Sequence, residues 1–391
     1  MEKQNIKPKL RFPEFSGEWE FKKLVELLEF KNGINASKEQ YGQGVKFINV
    51  LDILNNEFIT YDKIIGSVDV DNDTVNKYPV NFGDILFQRS SETREEVGTA
   101  SVYLDNQKTA TFGGFVIRGR KISEYIPLFL NQLLKTDMAR NDITSKSGGS
   151  TRYNVGQETL ANVTLPFPCL AEQTKISSFI TAVSEKISQL KKKKSLLEQY
   201  KKGVMQKIFD QEVRFKDDDG NEFPDWHVRK LAEVATKKSS NISANKIEDN
   251  FGIYIIYGAS GILKKVDFYE EENDYISIIK DGAGVGRIFY CGGKTSVLGT
   301  MDIIKPKLEI NTYFLYCLLN NIDFVKYITG STIPHIYFKD YSHEICGIPI
   351  YEEQTKIANF LSAIDDNINL CSCQIEKTEH YKKGLLQQMF C

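Results

Sequence analysis

The sequence predicts a mixed α/β protein in which two α/β domains are joined by two long antiparallel coiled-coil helices. Three observations support this fold class. A long segment with helical periodicity occurs twice, short segments that flank both copies are also related, and the remaining stretches mix β-type runs with helical ones. The chain has 391 residues, of which 41% are hydrophobic and 26% are charged. That balance is ordinary for a folded protein of two or three domains.

The amino-terminal segment, MEKQNIKPKLRFPEF, lacks the apolar centre of a signal peptide. No apolar run approaches the roughly 20 residues needed to span a bilayer, so we expect a cytoplasmic protein without membrane contact. The chain has seven cysteines, none in a CxxC pair, and only four histidines. A disulfide framework or zinc site is therefore not expected, and no metal or cofactor is predicted.

The repeated segment is the clearest feature. Residues 172–209 align with residues 353–390 at a constant offset of 181 and without a gap. Both copies begin with Glu-Gln-Thr-Lys-Ile and reach Tyr-Lys-Lys-Gly at the same distance, at Tyr200–Gly203 and Tyr381–Gly384. Such a match indicates a duplicated structural unit.

Each copy has the periodicity of a long helix. In the first copy, mostly apolar residues follow alternating steps of three and four, with Lys194 and Lys201 as exceptions; Thr378 and Lys382 interrupt the second. This narrow seam is typical of a coiled coil, with the other copy as the expected partner. The alternative is that each helix covers the core of its own domain. The run Lys191–Lys194 is typical of a solvated helix face.

Short related segments precede the two middle regions. Arg11-Phe12 leads to Trp19, and Arg214-Phe215 leads to Trp226, so the only two tryptophans correspond. The segment that should follow the second helix therefore stands at the start of the chain. Joining the two ends would close two similar units into a ring, which predicts a circular, pseudo-twofold arrangement with neighbouring termini.

The two middle regions differ in length and sequence. Trp19 and Glu172 are 153 residues apart, whereas Trp226 and Glu353 are 127 apart. Both regions contain short β-type runs broken by Gly, Asn and Asp, together with a helical stretch. The predicted β-type runs are 46–50, 84–87, 115–117, 253–257, 275–280 and 287–290, and the helical stretches are 126–138 and 311–327. We therefore expect domains at 1–168 and 212–350, with the helices at 169–211 and 351–391.

Both middle regions end in a shared turn. Residues 149–154, Gly-Ser-Thr-Arg-Tyr-Asn, match residues 330–335, Gly-Ser-Thr-Ile-Pro-His, again at an offset of 181. A Gly-Ser-Thr turn presents backbone N–H groups and hydroxyls that suit phosphate contacts, while the side chains after it vary as base-reading residues should. The alternative is an ordinary loop before a strand.

Charge gives a weaker indication of nucleic-acid binding. The net charge is −2, although residues 169–211 contain nine Lys or Arg against four Asp or Glu. DNA contacts elsewhere would thus depend on local basic groups. Each candidate can equally have a structural role. The candidate DNA-binding residues are Arg89, Arg94, Arg118, Arg120, Ser150, Thr151, Arg152, Tyr153, Asn154, Tyr257, Lys280, Arg287, Ser331, Thr332, His335, Tyr337 and Lys339.

No catalytic site is predicted. The glycines of Lys280–Arg287, KDGAGVGR, resemble a phosphate-binding loop, but the spacing is not that of GxGxxG or a P-loop, and a strand rather than a helix follows. We interpret it as a β-hairpin turn. The Asn/Asp-Pro-Pro-Tyr/Phe motif of adenine methyltransferases and the GxSxG motif are absent. Glu29-Phe30-Lys31 is too common a tripeptide to indicate a nuclease.

The order of these motifs resembles the specificity subunit of type I restriction–modification systems. The resemblance covers essentially the whole chain: two variable recognition domains, a central helix and a carboxy-terminal copy of that helix. Its diagnostic pieces are a Pro-containing entry before Glu172-Gln173 and Glu353-Gln354, Tyr-Lys-Lys-Gly followed by Phe, and the Arg11–Trp19 segment.

The resemblance implies a non-catalytic DNA-recognition role. Each recognition domain would read one half of a bipartite double-stranded target, and the helices would set the gap between the halves. Two modification subunits, which supply S-adenosylmethionine-dependent adenine methylation, would dock on the helices, with Glu172, Gln173, Glu353 and Gln354 as the expected partner-binding residues. ATP-dependent restriction subunits join such complexes.

Two alternatives from other classes remain at this point. The first is a coiled-coil scaffold whose two domains bind proteins or peptides. The second is a nuclease or methyltransferase in its own right. The duplicated hydroxyl turns favour DNA recognition over the scaffold, and the absence of a catalytic motif disfavours the enzyme.

Overall fold

The computed structural model describes residues 7–149 and 151–390. It divides into two compact units: unit 1 is Met1–Gln189 together with Gln374–Cys391, and unit 2 is Leu190–Cys373. Unit 1 thus combines the beginning and the end of the chain, whereas unit 2 is continuous in sequence. The predicted mixed α/β fold class is confirmed by the elements below.

Unit 1 contains short strands and mostly short helices. The strands are β1 (Glu20–Lys23), β2 (Leu28–Asn32), β3 (Tyr41–Ile48), β4 (Ser67–Val68), β5 (Ile85–Gln88), β6 (Ser90–Ser91), β7 (Ala100–Val102), β8 (Thr111–Phe112), β9 (Val116–Lys121), β10 (Tyr153–Asn154) and β11 (Thr164–Phe167). The α-helices are α1 (Val50–Leu54), α2 (Asn72–Lys77), α3 (Pro127–Leu133), α4 (Asp137–Ser145), α5 (Gln157–Ala161) and α6 (Leu170–Phe209), which continues into unit 2. Single 3-10 turns lie at Leu24–Glu26, Lys38–Gln40 and Tyr61–Lys63.

Unit 2 repeats this organisation with fewer elements. Its strands are β12 (His227–Lys230), β13 (Ala235–Ser239), β14 (Tyr254–Gly258), β15 (Gly261–Val266), β16 (Tyr275–Ile279), β17 (Ile288–Cys291), β18 (Ser296–Val297), β19 (Met301–Pro306) and β20 (Ile345–Ile348). Its α-helices are α7 (Leu231–Val234), α8 (Thr312–Asn320), α9 (Phe338–Tyr341) and α10 (Tyr351–Met389), which continues into unit 1. Single 3-10 turns lie at Ala244–Ile247 and Phe324–Tyr327.

The two units share one sheet topology. Unit 1 has a four-stranded antiparallel sheet in the order β2-β9-β5-β7, and unit 2 has the corresponding sheet in the order β13-β19-β16-β17. The three-stranded sheets β4-β3-β8 and β15-β14-β18 also correspond, each with one antiparallel and one parallel pair. The ribbons β1–β11 and β12–β20 complete the match. The two units therefore differ in sequence while keeping the same sheet topology.

Some predicted element bounds differ from the observed ones. β3 ends at Ile48 and α1 begins at Val50, because the backbone N–H of Asn49 donates to the Asp52 carboxylate at 2.8 Å and starts a helical turn. The helical stretch at 126–138 is α3 followed by α4, and the stretch at 311–327 is α8 followed by a 3-10 turn.

The two long helices run antiparallel within each unit. In unit 1, Ser184 of α6 and Lys382 of α10 both donate to Glu57, while Phe167, just before α6, and Phe390, just after α10, both pack on Phe129. In unit 2, Lys201 of α6 donates to Asp365 of α10. Lys201 and Lys382 interrupt the apolar seam because each forms an ion pair, with Asp365 and Glu57 respectively.

The helices also complete the cores, as the alternative interpretation expected. In unit 1, Ile176 and Ile180 of α6 and Leu385 and Met389 of α10 are buried in the main hydrophobic cluster. In unit 2, residues of both helices join the corresponding cluster, among them Ile208, Ile357, Leu361 and Ile364. Helix pairing and core formation are therefore not separate roles here.

The corresponding tryptophans have corresponding neighbours. Trp19 packs edge-on against Phe129 and Phe390, with ring centroids 6.0 Å and 6.5 Å apart. Trp226 packs in the same way against Phe314 and Phe209, at 6.3 Å and 6.1 Å.

The two ends of the chain meet in unit 1, as the circular arrangement requires. The backbone N–H of Leu10 donates to the carbonyl of Gln388 near the end of α10, at 2.9 Å. Within residues 7–149 and 151–390, no helix is both long and apolar enough to cross a membrane.

Candidate nucleic-acid interface

In unit 1, two segments that are far apart in sequence meet beyond the end of β5. The carbonyl of Arg89 accepts a hydrogen bond from the Val155 N–H at 3.0 Å, and β6 pairs with β10. The Ser90 hydroxyl donates to Oδ1 of Asn154 at 2.5 Å. The loop after β5 and the Gly-Ser-Thr turn, predicted as separate candidates, therefore form one surface.

The same two segments meet in unit 2. The carbonyl of Lys280 accepts from the Ile336 N–H at 2.9 Å, and Asp281 and His335 form an antiparallel bridge. The N–H of Gly282 also donates to the carbonyl of Pro334 at 2.9 Å. Arg89 and Lys280 thus occupy one equivalent position, although their offset of 191 differs from the 181 of the repeat.

A third segment completes each surface, and it was missed in the sequence. The Arg89 N–H donates to the carbonyl of Phe115 at 2.9 Å, and the Lys280 N–H donates to the carbonyl of Thr300 at 3.0 Å. Phe115 is 64% exposed, so its ring lies on this surface beside Arg89. Its place after Gly113-Gly114 was the available signal, because two glycines before a β-type run indicate a turn, and Phe115 lies in that turn.

The exposed candidates of unit 1 are Arg89, Arg94, Thr151, Arg152 and Asn154, with Tyr153 half-buried. The Arg89 guanidinium donates to the Gly114 carbonyl at 3.3 Å, and the Arg94 guanidinium donates to the Thr144 carbonyl at 3.2 Å. These bonds orient both side chains on the surface. Ser150 lies outside the described residues.

Arg118 and Arg120 do not belong to this surface, so their predicted DNA contact has no support in the geometry. Both guanidinium groups donate to the Pro79 carbonyl, and Arg120 lies 3.0 Å from the Asp84 carboxylate. Arg118 is 5% exposed and Asp84 is 1% exposed. Burial raises the pKa of Asp84 and lowers the pKa of Arg118. The two arginines satisfy buried acceptors, which their sequence neighbourhood did not reveal.

The candidates of unit 2 are gathered more tightly. Lys280, Tyr337 and Lys339 line a cavity of ≈ 530 Å³ together with Asp302. Lys280 Nζ lies 3.5 Å from an Asp302 oxygen. The exposed Tyr337 ring packs edge-on against His335 at 5.0 Å, with Lys339 Nζ 5.3 Å from its centroid. Arg287, Ser331 and Thr332 are exposed.

Tyr257 differs from the other candidates of unit 2. It packs against the cluster formed by Tyr275, Cys291 and Val297, and burial raises its pKa. A structural role accounts for this side chain, so its predicted DNA contact has no support in the geometry.

The glycine-rich segment is a hairpin turn, as predicted. Gly282, Gly284 and Gly286 have φ angles of +87°, +84° and +83°, which side-chain-bearing residues rarely adopt. The Gly286 N–H donates to the Ile279 carbonyl at 2.9 Å, closing the turn between β16 and β17. Because a strand follows, the segment lacks the helix N-terminus of a phosphate-binding loop.

The predicted partner-binding side chains are buried, so that assignment has no support in the geometry. Glu172, Gln173, Glu353 and Gln354 are at most 4% exposed. The first glutamate accepts from Arg11 and the second from Arg214.

The glutamines fix the start of each long helix to the α/β part of its unit. Gln173 donates to the Pro168 carbonyl at 2.9 Å and accepts from the Ile126 N–H at 3.0 Å. Gln354 makes the matching bonds, both at 2.9 Å, to the Pro349 carbonyl and from the Asn311 N–H. The Glu-Gln pairs therefore attach helix to domain, and they offer little surface to a partner.

A family model described as type I restriction modification DNA specificity domain matches residues 16–199 and 224–379. Among curated proteins of Methanocaldococcus jannaschii, the type I restriction enzyme MjaIX specificity subunit is 24% identical over 409 residues, covering 95% of this chain and 92% of that protein. The MjaVIII specificity subunit is 27% identical over 305 residues, covering 68% of this chain and 69% of that protein.

Solved structures show the same fold. The type I restriction–modification S subunit from M. genitalium superposes with a TM-score of 0.65 at 17% identity, covering 99% of both chains. A chain from a structure of type I restriction–modification complex assembly and conformational transition gives a TM-score of 0.56 at 15% identity, covering 95% of this chain and 97% of that one.

Proposed function

Because this chain belongs to the type I restriction modification DNA specificity family, we propose that each of its units reads one half of a bipartite double-stranded DNA target. One observation carries this proposal. The loop after the central strand and the Gly-Ser-Thr turn meet in the same way in both units, at Arg89 and Lys280, while the side chains around them differ. A shared frame with different exposed groups is what two readers of different half-sites need.

The exposed groups suit the two kinds of DNA contact. Arg152 and Asn154 in unit 1 have side chains that pair with guanine and adenine edges in the major groove. His335, Tyr337 and Lys339 take this role in unit 2. The hydroxyls of Thr151, Ser331 and Thr332 suit phosphate oxygens, which position a protein without specifying sequence.

We assign no catalysis to the chain itself, so methylation requires modification subunits. The buried Glu-Gln pairs cannot hold them, and Tyr200 and Tyr381 are better candidates. These corresponding tyrosines are 54% and 55% exposed. Gly203 and Gly384 follow at the same spacing, and an added Cβ at either glycine would meet nothing within 4 Å. Since glycine inside a helix costs about 1 kcal/mol relative to alanine, a partner approaching the backbone explains both.

Two corresponding docking faces imply two modification subunits, and the complex gains endonuclease activity when ATP-dependent restriction subunits join it. The two helices act as a spacer that sets the gap between half-sites. This assignment extends the predicted architecture and rests on the duplication of Tyr200–Gly203 at Tyr381–Gly384.

Methylome sequencing of the host with and without this gene tests the function. We expect one bipartite adenine-methylated motif to disappear on deletion and to return with the wild-type gene. With Arg89→Ala, methylation should fall without a change of the motif's second half. An unchanged methylome, together with no DNA protection at low salt by the chain and its modification subunits, would instead favour a scaffold with two protein-binding domains.

A further inference from the structure

Unit 2 has an open groove along the edge of its main sheet. β17 is the last strand in the order β13-β19-β16-β17. Its residues Ile288, Phe289 and Tyr290 form one wall of a groove of ≈ 790 Å³, and residues of α8 and α10 form the other. A groove of this size lies within the range of about 300–1,000 Å³ that is typical of ligand sites.

In unit 1, the chain itself covers the corresponding edge. β7 has the place of β17, and the segment Asn56–Ile59 lies beside it. The Ile59 N–H donates to the Val102 carbonyl, and the Leu104 N–H donates to the Ile59 carbonyl, both at 2.8 Å. Asn131 Nδ2 donates to the Glu57 carbonyl at 2.9 Å, which ties the segment to α3 as well.

In unit 1, the side chain of Glu57 forms hydrogen bonds with both long helices. Its carboxylate accepts from the Ser184 hydroxyl at 2.7 Å and from Lys382. The repeat offset of 181 places Asp365 and Lys201 at the corresponding positions in unit 2. There Lys201 donates to both oxygens of Asp365 at 2.6 Å, and the Tyr313 hydroxyl also donates to Asp365.

In unit 2, the carboxylate that pairs with the lysine therefore comes from Asp365 of α10 itself. Unit 2 lacks a segment that corresponds to Asn56–Ile59. The missing segment agrees with the shorter middle region, 127 residues between Trp226 and Glu353 against 153 between Trp19 and Glu172. Asp366, an exposed second carboxylate, also lines the groove. The α10 wall of the groove thus carries the exposed carboxylate of Asp366 beside the ion pair of Asp365 and Lys201.

We propose that this groove binds an extended segment of a partner protein, which adds a strand to β17 and places a lysine or arginine beside Asp366. An uncovered sheet edge is a template for a further strand, and strand addition is a common mode of peptide recognition. The acidic wall selects a cationic side chain, because an acidic one would face like charge. The site involves none of the proposed DNA-contacting side chains, so it does not depend on DNA recognition.

The chain itself provides the probe. A labelled peptide of residues 55–60, Asn-Asn-Glu-Phe-Ile-Thr, is compared with the same peptide carrying Glu57→Lys, and both are titrated against the full chain by fluorescence anisotropy. We expect the Glu57→Lys peptide to bind about fivefold more tightly, as one partly exposed charge pair allows. Asp366→Lys should reverse that preference. Asp249→Lys, an exposed acid of unit 2 outside the groove, should leave it unchanged.

Hydrogen exchange identifies the binding position. The bound peptide should slow amide exchange in β17, and exchange in β7, which is already covered, should stay as it was. Equal binding of both peptides, or binding without protection of β17, would overturn the proposal. Dimerisation of the chain would also overturn the proposal if Asp366→Lys abolished it, because a second copy of the chain would then occupy the groove. DNA protection by Asp366→Lys provides a separate readout of the proposed function.

Discussion

Arg11 donates hydrogen bonds from Nε and Nη2 to the two carboxylate oxygens of Glu172, both at 2.7 Å, across 161 residues of chain. Arg214 makes the corresponding pair of bonds to Glu353, at 3.2 Å and 2.8 Å. Both glutamates are essentially inaccessible to solvent, at 1% and 0% side-chain exposure. Each recognition domain is therefore attached to the start of a long helix by a buried, bidentate ion pair.

Breaking either pair should destabilise the unit that contains it. Glu172→Ala or Glu353→Ala leaves an arginine without its buried partner, so we expect a loss of about 3 kcal/mol in the free energy of unfolding. Urea unfolding followed by hydrogen exchange of peptides from each unit measures the loss separately. Glu185→Ala, an exposed acid of α6, is the control. A similar small effect for Glu172→Ala and Glu185→Ala would contradict the attachment role.

The two tryptophans should respond differently to the same change. Trp226 Nε1 donates to a Glu353 oxygen at 3.1 Å, whereas Trp19 Nε1 is buried without a hydrogen-bond partner among the described residues. Trp226→Phe removes a hydrogen bond to a buried carboxylate and should cost about 1 kcal/mol more than Trp19→Phe. Thermal unfolding resolved by unit tests this, and equal costs would contradict it.

Glu57 should make unit 1 sensitive to acid. Burial alone would raise the pKa of Glu57, but hydrogen bonds from Lys382 and Ser184 outweigh it and lower the pKa below 4.5. A lowered folded-state pKa gives stability that is present above the unfolded value and disappears as the pH falls through the folded value. Glu57→Gln should therefore cost about 1 kcal/mol at pH 7, allowing for solvent screening.

That cost should begin to shrink as the pH falls below the ordinary glutamate pKa, where the carboxyl of the unfolded chain takes up its proton, and it should be lost once the folded carboxyl is protonated as well. Unfolding midpoints at neutral and acidic pH, read from Trp19 in a Trp226→Phe background, provide the measurement. Glu124→Gln, whose side chain is 85% exposed, is the control. A cost that does not change with pH would show that the charge of Glu57 is not responsible.

Arg89 and Lys280 should contribute to binding at different half-sites. We expect Arg89→Ala and Lys280→Ala each to weaken DNA binding about tenfold and to reduce its salt dependence. Lys23→Ala and Lys230→Ala remove exposed lysines from β1 and β12 and should have little effect. Competition with DNA altered in one half-site at a time assigns each residue. If both variants lose discrimination at the same half-site, the proposal that each unit reads one half-site is wrong.

The spacer role predicts a change in gap length. Seven residues inserted after Gln189 in α6 and after Leu370 in α10 lengthen each helix by about 10 Å. At 3.4 Å per base pair, the preferred gap should grow by about three base pairs with both half-sites unchanged. Methylome sequencing reads both quantities. Altered half-sites with a constant gap would contradict the spacer role.

Local sequence patterns were enough to predict the two long helices and the duplicated segments that flank them. The helical periodicity after Glu172 and Glu353 is a property of neighbouring residues, so α6 and α10 were recognised together with the flanking tryptophans. The Gly-Ser-Thr turns were recognised for the same reason. Arg89 and Lys280 each follow a comparable β-type run, but the sequence repeat does not align them, because insertions shift their offset to 191.

The sequence alone did not show which charged side chains are buried. Arg118 and Arg120 form a basic cluster in sequence, but Pro79 and Asp84, some 40 residues away, accept their hydrogen bonds. The Glu172 side chain is likewise buried, and Arg11 reaches it from near the start of the chain. The duplication of Arg11-Phe12 at Arg214-Phe215 was a signal for that contact, since the same Arg-Phe pair precedes both middle regions.

The division of the chain also bears on the order of events during synthesis. Unit 2 lies in one continuous stretch, so its residues are all available once translation has passed Cys373. Unit 1 begins earlier but needs Leu385, Met389 and Phe390 to fill its core. The recognition domain made first on the ribosome is therefore completed last, and its partly filled core must wait, exposed to chaperones, until the second long helix has emerged.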